Sequence, residues 1–188
     1  NDHYYGGRPA LDRVTFVVGG GGLPMTMYEN GELDIVQVSP AEIERVLDPA
    51  NPLSRELTVV PQFDIQYLGF HVKVPPFDDV KVRQAFTHAI DRARLADVVM
   101  KKTVVAAQGI LPPGMPGYSP ALRGLAFDPA LARQRLAESK YKGVEGLPEV
   151  VLHVSGTGGQ LSPSTEAIVA MLRTNLGVQV SVEQTPWD

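Results

Sequence analysis

The feature that most constrains the fold lies in the last forty residues. Val150, Leu152 and Val154 alternate with other residues at period two, the pattern of a half-buried strand. Ser162-Pro163 then offers a cap followed by proline at the first helical position, and Ile168, Leu172 and Leu176 recur at helical spacing. Gly177 ends that helix, and Val178, Val180 and Val182 alternate again. Strand, helix and strand with short connections make a βαβ unit, which normally crosses over right-handed into a parallel pair. The class is therefore α/β.

Upstream, the same signals predict further elements. Residues 13–18 place Val14, Phe16 and Val18 on one face of a strand, ended by the Gly19–Gly22 run. A turn at Asn30-Gly31 precedes a second short strand over Glu32–Val38. Ser39-Pro40 opens a helix carrying Ile43, Val46 and Leu47, and residues 48–54 form a loop. Leu57–Val72 reads as extended chain broken near Pro61, with Leu68 and Phe70 inward and Tyr67, Gly69 and His71 on the opposite face. Asp79 caps a helix that stacks Val82, Phe86, Ala89 and Ile90, and Asp91 caps another carrying Leu95, Val98 and Val99. Gly109–Leu122 is a long loop, and Asp128-Pro129 starts a helix buried through Ala132 and Leu136.

The 18 glycines and 16 prolines among 188 residues exceed the usual combined share of about 12%, which fits many turns. A net charge of −4 with no run of like charges argues against a nucleic-acid or anionic-membrane surface. No apolar run approaches the roughly 20 residues needed to span a bilayer. The absence of cysteine removes disulfides, thiolate nucleophiles and thiolate metal sites together. Asn1 opens the chain without an initiator Met and leads directly into a strand pattern, so a piece of a longer protein is expected.

The motifs that could carry chemistry have plainer readings. Gly19–Gly22 fails the G-x-G-x-x-G fingerprint, because the third position falls on Pro24 or Met25, and it lacks a Gly-Lys-Ser/Thr ending. Ser155-Gly156-Thr157-Gly158-Gly159 matches no phosphate fingerprint or nucleophile elbow, which favours a plain βα loop at the edge of a crevice. His3, His71, His88 and His153 are scattered, with no metal-binding pair. His88 and Asp91 read as a solvated or supporting pair, His153 as packed under a helix, and His71, beside Tyr67, as a candidate ligand contact. Asp79, Asp91 and Asp128 sit at cap positions. No nucleophile–base pair or isolated carboxylate pair is present, so the residues offer nothing for an enzyme, and no cofactor is implied.

Several segments together resemble one family. Asn1 to Val14, through Tyr5-Gly6-Gly7-Arg8-Pro9, is similar to the "Y-W-G-G-K-P" stretch of the oligopeptide- and dipeptide-binding proteins of ABC importers (family 5 of the extracytoplasmic solute-binding proteins). Asn30-Gly31-Glu32-Leu33-Asp34 resembles their "G-E-I-D" turn. Pro75-Pro76-Phe77-Asp78-Asp79-Val80-Lys81-Val82-Arg83-Gln84-Ala85, continuing to Ala89-Ile90-Asp91-Arg92, resembles their most recognisable signature. Leu111-Pro112-Pro113-Gly114 through Gly117-Tyr118, and Tyr141, fit in the same order.

The resemblance implies two α/β lobes with mixed sheets, of the type II periplasmic-binding-protein-like fold, of which this chain is an incomplete part. Residues 1–65 would be the closing part of the first lobe with the return to the hinge, and 66–188 the first part of the second lobe. It also implies capture of a peptide or other small solute outside the cytoplasm, in the periplasm or as a lipoprotein anchored on the outer side of the membrane. A monomer that hands its solute to permease and ATPase subunits is expected, with no catalysis and no nucleic acid. Relatives that bind nickel chelates, oligosaccharides or opines keep those ligands open, as does a peptide-sensing receptor module. The strand usually reading "Y-x-x-F-N" is here Tyr67-Leu68-Gly69-Phe70-His71, with His71 where Asn is usual. The resemblance thus makes Tyr67, Gly69 and His71 candidate cleft residues, and Leu111, Pro113, Gly114 and Tyr118 of the loop the second wall. Half a cleft is expected not to bind measurably by itself.

Overall fold

A computed structural model describes residues 5–7, 10–18, 22–39, 41–60 and 62–186. They fall into two compact units, residues 1–39 and 40–188. The glycine run at 19–21, His3, Pro40, Pro61 and Trp187 lie outside the described residues.

In the first unit, Pro24 occupies the first turn of helix α1 (Pro24–Glu29), where its missing N–H goes unneeded. Asn30 and Gly31 then donate back to Thr26 and Tyr28 carbonyls, with Gly31 in the left-handed region at φ 74°. The Asn30-Gly31 turn is as the sequence predicts, but α1 itself lacks a sequence signal strong enough to predict it. The expected strands over 13–18 and 32–38 are not formed. Phe16 is 84% exposed, and neither segment has a ladder partner among the described residues. Alternation marks the capacity to form a strand; without a neighbour to hydrogen-bond, the chain stays irregular.

The second unit opens with α2 (Ile43–Leu47), whose Ile43 and Val46 are buried while Leu47 is exposed. A 3₁₀ turn over Pro52–Arg55 follows, with the Asn51 side chain accepting from the Leu53 N–H. The core is built by α3 (Val80–Ala89), α5 (Pro129–Glu138), strand β1 (Val150–Ser155), α6 (Pro163–Leu176) and strand β2 (Val180–Thr185). Val82, Ala85, Phe86 and Ala89 of α3 meet Ala132 and Leu136 of α5 and Leu172 and Leu176 of α6, with Val150 and Val178 beneath. The strands pair in parallel, Val150 opposite Val180 through Ser155 opposite Thr185. This is the βαβ unit predicted from sequence.

The helix ends are tied as well as the core is filled. Asp79, Asp128 and Ser162 accept from the N–H groups of Lys81, Leu131 and Thr165. Asn175 Nδ2 donates to the Ala89 carbonyl at the end of α3 (2.7 Å), and Arg133 Nη1 donates to the Asn175 carbonyl (2.8 Å). Gly177, at φ 77°, ends α6.

Two predicted elements come out differently. Asp91 does cap a helix, accepting from the Arg94 N–H, but α4 (Arg92–Arg94) widens at once into a π turn over Leu95–Val99. Bonds from i to i+5 advance the face by a residue, so Ala96 is buried and Val98 is 64% exposed. Leu57–Val72, expected as extended chain, pairs with no strand among the described residues. Phe70 does turn inward, stacking on Phe77 at 4.9 Å and edge-on to Phe86 at 6.4 Å. Leu68, expected beside it, stays 36% exposed.

Candidate functional site

The loop between Gln108 and Gly124 is ordered by its own sequence. Pro112-Pro113-Gly114-Met115 and Met115-Pro116-Gly117-Tyr118 are consecutive turns with proline second and glycine third. Met115 donates to the Pro112 carbonyl and Tyr118 to the Met115 carbonyl, at 3.2 and 3.0 Å. Gly114 and Gly117 both have φ 87°, the left-handed value that a type II turn demands at its third residue. A third turn closes where Leu122 donates to the Ser119 carbonyl. The ends of the loop meet, because the Gln108 side chain accepts from the Gly124 N–H at 3.2 Å. The result is a compact surface loop packed on its own side chains. Leu111 lies over Gly117, and Leu122 presses so closely on Gly109 that a Cβ there would collide with it. Leu111, Gly117, Tyr118 and Leu122 help to line a shallow hollow of about 390 Å³.

The loop is fixed to the core from its far end. His88 Nδ1–H donates to the Ala126 carbonyl (2.7 Å), Arg92 Nη2 to the Leu125 carbonyl (2.5 Å), and the Asp128 N–H to the His88 carbonyl (2.9 Å). His88 is buried, so the expected solvated pairing with Asp91 is replaced by a structural hydrogen bond. Burial forces such a group to find a partner, and the loop carbonyl supplies it.

The extended segment before α3 approaches this loop. The Phe63 ring lies beside Gly114, where an added Cβ would come within 3.2 Å of it. The Tyr67 ring leans over Gly69. Phe63 and Tyr67 are 64% and 73% exposed, and Gly69 and His71 are exposed as well.

A polar cluster joins α3 to the end of α5. Asp79 accepts from the Lys81 N–H through one oxygen and from the Lys140 N–H through the other, at 2.7 and 2.8 Å. Asp78 accepts from Lys140 Nζ and from the Tyr141 hydroxyl. Glu138 accepts from Lys81 Nζ (3.0 Å), Gln134 (2.8 Å) and Arg135 (3.1 Å). The Lys81 hydrogen bond, above all, holds the Glu138 carboxyl down at about 2. The Lys140 ammonium lowers Asp78, and the Lys140 N–H lowers Asp79. Each charge has its partner, so the cluster fastens the fold together. Among the described residues no group of His, Asp or Glu gathers in a way that could hold a metal ion, and no helix is long and apolar enough to cross a membrane.

The model of the bacterial extracellular solute-binding proteins, family 5 (middle region), matches residues 1–188. The chain belongs to that family. It is 26% identical over 191 residues to the dipeptide-binding protein of Escherichia coli K12, covering 99% of this chain and 35% of that one. Heme-binding protein A of Haemophilus influenzae is 28% identical over 144 residues, covering 75% of this chain and 26% of that protein. Among solved structures, the Escherichia coli murein tripeptide-binding protein MppA superposes with a TM-score of 0.70 at 22% identity, over 87% of this chain and 32% of that one. The chain thus spans about a third of the length of these relatives, and its fold is that of the periplasmic binding proteins.

Within this family member, the candidates group in two places. Tyr67, Gly69 and His71 lie along the extended segment, and Leu111, Pro113, Gly114 and Tyr118 lie on the turn-built loop, all exposed. Phe63, which touches the loop at Gly114, is the residue sequence reasoning missed; an aromatic after Pro61-Gln62 carries no motif signal. The βα loop 155–159 is a plain connection: Gln184 accepts from the Gly158 N–H (2.9 Å) and donates to the Gly159 carbonyl (2.7 Å). His153 does not pack under a helix. Its side chain is exposed and pairs with Glu183, its direct partner across the ladder, at 3.3 Å, because alternation turns it to the uncovered face.

Proposed function

We propose that the protein containing this chain captures a small solute outside the cytoplasm, peptides foremost, and passes it to the permease and ATPase of an ABC importer without chemical change. Residues 1–65 would close the first lobe and 66–188 begin the second, with the solute enclosed between lobes. The observation that carries this reading is the exposed wall of Phe63, Tyr67 and the Gly109–Leu122 loop, in a chain matched along its whole length by a solute-binding family. Backbone groups and aromatic faces can hold an extended peptide without reading every side chain. Peptides come first because the two curated relatives aligned over 99% and 100% of this chain are named for them. Tyr67, Gly69, His71, Leu111, Pro113, Gly114 and Tyr118 are the proposed contacts. The protein acts as a monomer, and the 188 residues alone bind no peptide with better than millimolar affinity.

A second reading keeps the fold and changes the solute, since one relative is named for heme; nickel chelates, oligosaccharides and opines belong to the same reading. A thermal-melting screen of the intact protein against short peptides, sugars, heme and metal chelates separates them. A ligand at 100 times its dissociation constant adds about 2.7 kcal/mol, enough to raise the melting point by a few degrees. A shift with peptides supports peptide capture. A shift confined to another class replaces peptides with that class, and no shift with any compound counts against solute capture itself.

A further inference from the structure

From Thr103 to Leu122 twenty consecutive residues include no Asp, Glu, Lys or Arg, in a chain of which 20% is charged. Ile65–Val72, in the segment whose Phe63 touches the loop, has no such residue either; Asp64 and Lys73 bracket it. Exposed chain in a globular protein normally carries charge. The exposed large apolar side chains here include Tyr67, Val72, Val105, Ile110, Leu111 and Tyr118, with Phe63 just before Asp64; Gln66 and His71 are exposed beside them. Several cations that flank the wall are already engaged. Arg123 Nη1 donates to the Pro120 and Leu122 carbonyls, Arg92 to the Leu125 carbonyl, and Lys101 pairs with Glu44 at 3.2 Å.

The wall is also stiff. Two proline–glycine turns fix the backbone around Leu111 and Tyr118, and Leu111 rests on the bare backbone of Gly117. A preformed apolar surface gains by burying an apolar group and cannot compensate a charged one, which loses its hydration on entering.

Resting on the capture reading above, we infer that this wall is a specificity surface for an uncharged apolar side chain of the bound peptide and discriminates against Lys, Arg, Asp and Glu at that place. Leu111, which rests on Gly117 and lines the hollow beside Tyr118, is its central determinant. The ionic recognition of the peptide's termini then falls to residues outside the wall.

Calorimetric titration of the intact protein with dipeptides that pair alanine with Leu, Phe, Lys or Glu, in both orders, tests this. The expected result is a preference of about tenfold or more for Leu or Phe over Lys and Glu in one of the two orders. In Leu111→Glu the preference is expected to collapse, with the lysine peptide gaining relative to the leucine peptide. Equal affinity across the panel in the wild-type protein overturns the inference and leaves peptide capture standing. So does a Leu111→Glu protein that folds as wild type and keeps the full preference. Binding of none of the dipeptides overturns both. The wild-type panel decides the matter even where the variant fails to fold.

Discussion

In the region formed by α3, α5, α6 and the β1–β2 pair, Val82, Phe86, Leu136, Leu172 and Leu176 are all buried. The helix starts at Asp79, Asp128 and Ser162 are capped there. In the segments over 57–74 and 103–122, Val59, Val60, Phe63, Tyr67, Val105 and Ile110 are exposed. Order in 103–122 comes from its proline–glycine turns, and hydrogen bonds to the Leu125 and Ala126 carbonyls tie down the chain just beyond it. The difference teaches that apolar composition alone does not make a core. The first region closes on itself, whereas the second presents apolar surface, which in the proposed function is the surface a solute covers.

The comparison breaks most directly through truncation. Phe86→Ala and Leu136→Ala are each expected to cost about 2–5 kcal/mol in chemical denaturation of the intact protein. A loss below about 1 kcal/mol for either would mean that the packed region is not the core. His88→Ala is expected to cost about 1–3 kcal/mol, since it leaves the Ala126 carbonyl without its donor. Asp79→Ala is expected to cost about 1 kcal/mol, through the lost cap and the freed Lys140 N–H.

Acid sharpens the same contrast. Glu138, Asp78 and Asp79 are held below their ordinary values in the fold, so their contribution is fully present above the unfolded values near 4 and is lost as pH falls through the lowered folded values, about 2 for Glu138. The urea midpoint is therefore expected to hold from pH 7 to about 5 and then decline, less steeply in Glu138→Gln. A midpoint flat down to pH 2 contradicts the role given to the cluster. The smallest effect belongs to the wall: Val105→Ser is expected to change stability by no more than about 0.5 kcal/mol. A loss of 2 kcal/mol or more there would show that other parts of the intact protein bury the wall permanently.

Much of the packed region is legible in the sequence, because its signals are local and agree with one another. Asp79, Asp128 and Ser162 are caps in both readings, and the alternation around Val150 and Val180 gives the parallel pair its register. The strands expected over 13–18 and 32–38 fail for a common reason. Alternation reports a capacity that only a neighbouring strand fulfils, and none stands beside them among the described residues. His88 and His153 exchange environments with respect to their sequence readings. Burial depends on which face of an element is covered from elsewhere, and spacing along the chain does not contain that information. For the candidate site, the loop's turns are written in Pro113-Gly114 and Pro116-Gly117, but the approach of Phe63 to Gly114 is a tertiary contact with no local trace.

The most direct test of the account is hydrogen–deuterium exchange of the intact protein with and without a saturating peptide. The account predicts new protection over residues 62–71 and 109–122, with 82–89 and 163–176 protected equally in both states. Protection that leaves both wall segments unchanged while the peptide is demonstrably bound would contradict it.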